Sequence, residues 1–201
     1  MSIHPAPSRH HWSLTTPVLA NGVAYVWGLA EATTFFIVPD VWLTVLAVRS
    51  LRVSLRATIW AVLGAACGGA LMWCFGARAP EHARALLDTI PGIGPDLFTQ
   101  VQIQVKSLGL SAVMRGAWQG IPYKIYPVEW GAAGGGFGAL LAWTIVARGV
   151  RFSASAVVAR GVIRLVSPSA HLRPQLTWGL IGVFWVGFYV LYFYHFGWRG
   201  H

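Results

Sequence analysis

An all-helical bundle that crosses a bilayer several times is the fold this sequence predicts, and three features predict it. Of 201 residues, 56% are hydrophobic and 10% charged, against about a quarter charged in ordinary soluble domains. Residues 57–77 carry no charge at all, which is long enough for a helix to cross a hydrocarbon core of about 30 Å. Arginines collect at the ends of the apolar runs with Trp and Tyr nearby, the distribution expected of positive-inside loops and interfacial aromatic belts. That distribution also displaces the reading that a formal charge of +9 and eleven tryptophans invite, a nucleic-acid binder with stacking aromatics.

The elements follow in order. Residues 1–16 make a polar N-terminal tail with Arg9, His4, His10 and His11; no small-residue cleavage site follows a short apolar core, so a cleaved signal peptide is not expected. Residues 17–48 are apolar but interrupted by Glu31, Pro39 and Asp40. Residues 57–77 are the first full span. Residues 78–104 balance Arg78 and Arg84 against Glu81, Asp88 and Asp96. Residues 107–128 form a second interrupted stretch, with Arg115, Pro122, Lys124 and Pro127. Residues 131–147 are the second full span. In 153–174, Arg160 and Arg164 stand four apart among Val and Ile, as in an amphipathic helix on the cytoplasmic surface. Residues 175–201 add a further transmembrane helix, 178–196, and a C-terminal tail.

The interruptions carry the argument. A charge at the centre of a membrane helix costs about 2.5–3.5 kcal/mol on insertion scales, and Pro removes a backbone donor. Broken backbone at membrane depth survives only against protein or a water-filled cavity, so both interrupted stretches are expected to be re-entrant helical hairpins. The acid-free cluster Arg49, Arg52 and Arg56 and the cluster Arg148, Arg151, Arg160, Arg164 and Arg173 are both expected in the cytoplasm, and the balanced 78–104 outside. The order hairpin, span, outer loop, hairpin, span is then an inverted repeat, the arrangement in which transporters place a midplane site.

The residues at these hairpins resemble the DedA family, also called VTT or SNARE-associated membrane proteins. Glu31-Ala-Thr-Thr-Phe-Phe-Ile-Val-Pro39-Asp40 looks like its acidic motif, and Gly64, Gly68, Gly69 and Gly76 resemble the Gly-patterned helix that follows. Arg115 through Gly120-Ile-Pro122-Tyr-Lys124 is similar to its basic, Pro-containing hairpin, with Gly131-Ala-Ala-Gly134 and Arg148-Gly-Val-Arg151-Phe152 continuing the pattern. The resemblance covers roughly residues 25–152, within a membrane domain taken as 17–152. Lys124 stands where many members have Arg, and the interval from Arg115 is longer than usual. The resemblance implies a flippase- or scramblase-like transporter of a lipid phosphate, such as undecaprenyl phosphate or a phospholipid, with proton coupling in some members, in the bacterial inner membrane.

Arg115 and Lys124 are accordingly the candidate substrate-binding residues, since fixed cations in a low-dielectric site attract phosphate and Arg offers a planar fork. The alternative is that they merely neutralise Glu31 and Asp40. Those two acids are the proton-coupling candidates: a carboxyl that alternates between cation-paired and unpaired states changes its proton affinity. Glu129, beside Trp130, is expected as a solvated interfacial acid, and the GxxxG pairs 64/68, 131/135 and 134/138 as packing faces. Cys67 and Cys74 stand seven residues apart on one helix, about 10 Å and too far to bridge. No metal site, cofactor or catalytic residue set is expected. The rival functions are a membrane-bound enzyme acting on a lipid phosphate, which lacks an evident nucleophile here, and a non-transporting scaffold. Expected partners are membrane lipids, the anionic lipid phosphate and, as an open alternative, a second copy of the chain in a homo-oligomer; nucleic acid is not among them.

Overall fold

A computed structural model describes residues 17–166 and 174–197. The tail 1–16, Arg173 with the rest of 167–173, and the last four residues lie outside the described residues. Among the described residues every regular element is helical: α1 (Pro17–Thr33), α2 (Asp40–Arg49), α3 (Leu51–Arg78), α4 (Pro80–Asp88), α5 (Pro95–Leu108), a 3-10 turn at Gly109–Ser111, α6 (Ala112–Gln119), α7 (Ile125–Ala132), α8 (Phe137–Val166) and α9 (Pro174–Phe196). Three are long and apolar enough to cross a membrane, namely α3, Phe137–Leu165 of α8 and Trp178–His195 of α9. This is a helical membrane protein.

The spine is α3. Ser50 caps its N-terminus by accepting the Val53 N–H at 3.4 Å, and its 28 residues extend about 42 Å, longer than the apolar core they cross. It packs against α1 on one side and against α7 and α8 on the other. Small residues set these approaches: a Cβ at Gly64 would overlap the Tyr25 carbonyl of α1, and one at Gly76 the Val128 carbonyl of α7. Backbone meets backbone there, which in lipid replaces the hydrophobic drive that apolar surroundings cannot supply. The 64/68 pair therefore packs as predicted. The 134/138 pair does not: both glycines face open space, with no atom within 4 Å of where a Cβ would stand, and Gly134 instead turns the chain at φ +71°.

The helical ladder breaks at the two interrupted stretches. After α1, the Thr33 hydroxyl donates back to the Leu29 and Ala30 carbonyls at 3.0 Å, and Pro39, which has no N–H and disfavours helix in the residue before it, delays the next helix to Asp40. The second break follows α6, where Gly120 takes a left-handed conformation at φ +77° and Pro122 stands two residues on. A third break differs from expectation. The span predicted at 131–147 does not begin at Gly131: α7 ends at Ala132, a turn through the glycine run 134–136 intervenes, and α8 then continues unbroken to Val166. Residues 153–166, expected as a separate surface helix, are the second half of α8.

Candidate functional site

Both acids of the first interrupted stretch are buried, Glu31 in the last turn of α1 and Asp40 at the start of α2. Each meets an arginine of α8. Arg148 Nη2 lies 3.0 Å from Glu31 Oε1 and 2.9 Å from Oε2, while Arg151 Nη2 donates to Asp40 Oδ2 at 3.1 Å and the Ser155 hydroxyl to Oδ1 at 2.6 Å. Positions 148, 151 and 155 fall on one helical face, so a single stripe of α8 answers both ends of the first break.

The acids thus face α8, where the sequence suggested Arg115 and Lys124 as their partners. Lys124 is nonetheless brought to the same place. It is 2% exposed, and its Nζ donates to the Phe35 carbonyl at 2.6 Å, an acceptor that the first break leaves outside the helical ladder. One hydrogen bond thereby joins the two breaks. Arg115 is exposed on α6 and stands apart from the cavity. Arg148 and Arg151, read from sequence as loop charges, are the residues that sequence reasoning misplaced; their 148/151/155 spacing with Ser155 was the available signal.

Around Arg148 the packing is aromatic. The guanidinium lies 4.3 Å from the centroid of the Tyr123 ring and 5.5 Å from that of Phe152, within reach of a cation–π attraction. The Tyr123 hydroxyl is hydrogen-bonded to Thr144, which donates to the Leu140 carbonyl at 2.7 Å. The pair is incompletely satisfied, since Glu31 Oε2 and Arg148 Nε have no hydrogen bond of good geometry.

Glu31, Asp40, Lys124 and Arg151 line a cavity of about 740 Å³ whose remaining wall is largely apolar. That volume lies within the range of about 300–1,000 Å³ usual for small-molecule sites. Beside the cavity, Lys124, Arg148 and the partly exposed Arg151 oppose Glu31 and Asp40, three formal positive charges against two negative, with Arg148 itself off the cavity wall. Both carboxylates have an arginine, and Lys124 makes no ion pair among the described residues. The site can therefore take one further negative charge at its polar end and apolar matter beside it.

A second charge group sits elsewhere. Glu129, expected to be solvated, is buried on α7 and held by the fork of Arg84 from α4, Nε to Oε1 and Nη2 to Oε2, both at 2.8 Å. Arg84 also reaches Glu81 at 2.7 Å. The bond to Glu129 raises the guanidinium's proton affinity further above its ordinary value. The group closes α4 onto α7.

No family model, curated protein or solved structure matches the chain. The fold and the site define its class by themselves: a helical membrane protein with interrupted helices and an ion-paired, net-positive pocket that opens into an apolar cavity.

Proposed function

We propose that this chain is a membrane transporter, flippase- or scramblase-like, that moves a lipid phosphate across the bilayer, and that it is a DedA/VTT-type protein of the bacterial inner membrane. The observation that supports this most directly is the excess positive charge at Lys124, held by a carbonyl instead of a carboxylate on the wall of a largely apolar cavity. An anionic headgroup satisfies that charge while its hydrocarbon remains in apolar surroundings. Undecaprenyl phosphate and phospholipids both have this form. In this reading the two interrupted stretches are re-entrant hairpins of an inverted repeat, and the headgroup passes between them near midplane.

Coupling to protons would run through Glu31. A phosphate arriving near Arg148 competes with the carboxylate for the same guanidinium, and a carboxyl that loses its cation in an apolar site takes up a proton. Asp40 is the second carboxylate, kept by Arg151 and Ser155. The test is flux in proteoliposomes with labelled polyprenyl phosphate and phospholipids. Lys124→Gln should lower flux at least tenfold, and Glu31→Gln should flatten its pH dependence in a protein that still inserts. Flux unchanged in Lys124→Gln would overturn the headgroup site. Phosphate release from the lipid without flux would show an enzyme instead.

A further inference from the structure

We infer that α9 and the second half of α8 form a subsite for one hydrocarbon chain of the amphiphile whose anionic head sits at Lys124. The inference rests on the headgroup reading above and adds where the chain goes: inside the protein, along α9, and not out in the bilayer.

One face of α9 lines the cavity. Between positions 180 and 192 the aromatic residues Phe184, Trp185, Phe188, Tyr189 and Tyr192 lie on its wall together with the aliphatic Leu180 and Ile181. The positions that do not, Gly182, Val183, Val186, Gly187, Val190 and Leu191, are glycine or aliphatic. Val183, Val186, Val190 and Leu191 are each more than 60% exposed on the outer face. Within this stretch the cavity face carries rings and the polar tips of Trp and Tyr, and the outer face carries neither.

The inner face is turned towards protein and packed only in part: Tyr189 meets the Phe36 ring edge-on at 6.3 Å. Phe184 remains 61% exposed and Phe188 39%, and no residue of the spanning part of α9 is buried. Two polar tips fix the helix beside the first break: Trp185 Nε1 donates to Thr44 Oγ1 at 3.0 Å, and the Tyr189 hydroxyl accepts from the Val38 N–H at 2.8 Å. Opposite the rings, α8 offers small and branched side chains, Val150, Ala154, Val158, Ala159 and Val162. The result is a slot with a largely aromatic side and an aliphatic side, beside charges whose sum is positive. About 740 Å³ is the scale of a small-molecule ligand, enough for a hydrocarbon chain. A branched prenyl chain and a straight acyl chain share this chemistry.

The test is photo-crosslinking in lipid nanodiscs with two probes, a farnesyl phosphate and a decyl phosphate, each with a diazirine at the chain end. Labelling of Phe184, Phe188 or Tyr192, or of Val158 or Val162, by either probe supports the subsite, and the ratio of the two shows which chain it prefers. Ala159→Trp, which fills the slot, should cut that labelling at least tenfold, whereas Val190→Trp on the outer face should leave it unchanged. Labels confined to Val183, Val186, Val190 and Leu191 would overturn the subsite. If those labels appear while Lys124→Gln still abolishes flux, the headgroup reading stands without it. If Lys124→Gln changes neither labelling nor flux, the headgroup reading fails and takes the subsite with it.

Discussion

Glu129 and Glu31 are both buried carboxylates gripped by arginine, and they are built differently. At Glu129 the fork of Arg84 closes two parallel bonds of 2.8 Å. At Glu31 one nitrogen of Arg148 is shared between both oxygens, and Oε2 and Nε lack hydrogen bonds. The Arg84 side chain is 26% exposed, the Arg148 side chain 3%. A bidentate pair near water is a fastening. A deeply buried pair with spare bonding capacity costs more to keep, and its incomplete bonding leaves room for a third group. The difference separates a latch that holds α4 on α7 from a pair positioned to exchange partners.

Breaking each pair in turn tests that difference. Arg148→Leu removes the ion-pair partner of Glu31 from the core and should cost about 3–5 kcal/mol, read as a large fall in the melting temperature of the purified protein. The double variant Glu31→Gln/Arg148→Gln should recover most of that loss. A wild-type melt in the single variant would break the comparison. Arg84→Ala exposes Glu129 to water that can reach a partly open site, so about 1–3 kcal/mol is expected. Here flux per folded molecule should be unchanged; a fall in flux would make the latch part of the transport path. Asp40→Asn keeps an acceptor for Ser155 and loses attraction to Arg151, a cation 27% exposed, for about 1 kcal/mol. Smallest is Glu81→Ala. Its carboxylate is 81% exposed, and such pairs contribute about 0–1 kcal/mol, so the thermal midpoint should hardly move.

The two helix breaks at Pro39 and Pro122 were legible because their causes are local, whereas the turn through 134–136 was not. Pro39 and Pro122 act on their own backbone, and Gly120 supplies the turn that a side chain would oppose. The span of α3 was legible for the same reason, as an uncharged run with small residues at the positions that meet Tyr25 and Val128. Glu31, Asp40 and Lys124 could be singled out as charges in apolar stretches. Their partners could not be named. Whether an arginine ends a span or sits inside one depends on a carboxylate far away in sequence, so Arg148 and Arg151 read as loop residues until Glu31 and Asp40 were seen against them. Arg115 failed in the opposite sense: it shares a stretch with Lys124, yet the turn of α6 leaves it exposed. Glu129 needed Arg84, 45 positions earlier, and nothing near it announces that fork.

The Glu31–Arg148 pair also has a consequence for biosynthesis. Its members are 117 residues apart, and α1 leaves the ribosome long before α8 exists. At about 5–20 residues per second, the carboxylate of α1 waits on the order of ten seconds for its cation. Until then α1 is an apolar helix of 17 residues with a charge near its end that opposes burial in lipid. Glycine contacts with α3, which is made soon after it, are what is ready to retain it. The close packing of α1 on α3 is therefore the contact that can hold the first acid in place until α8 brings its arginine.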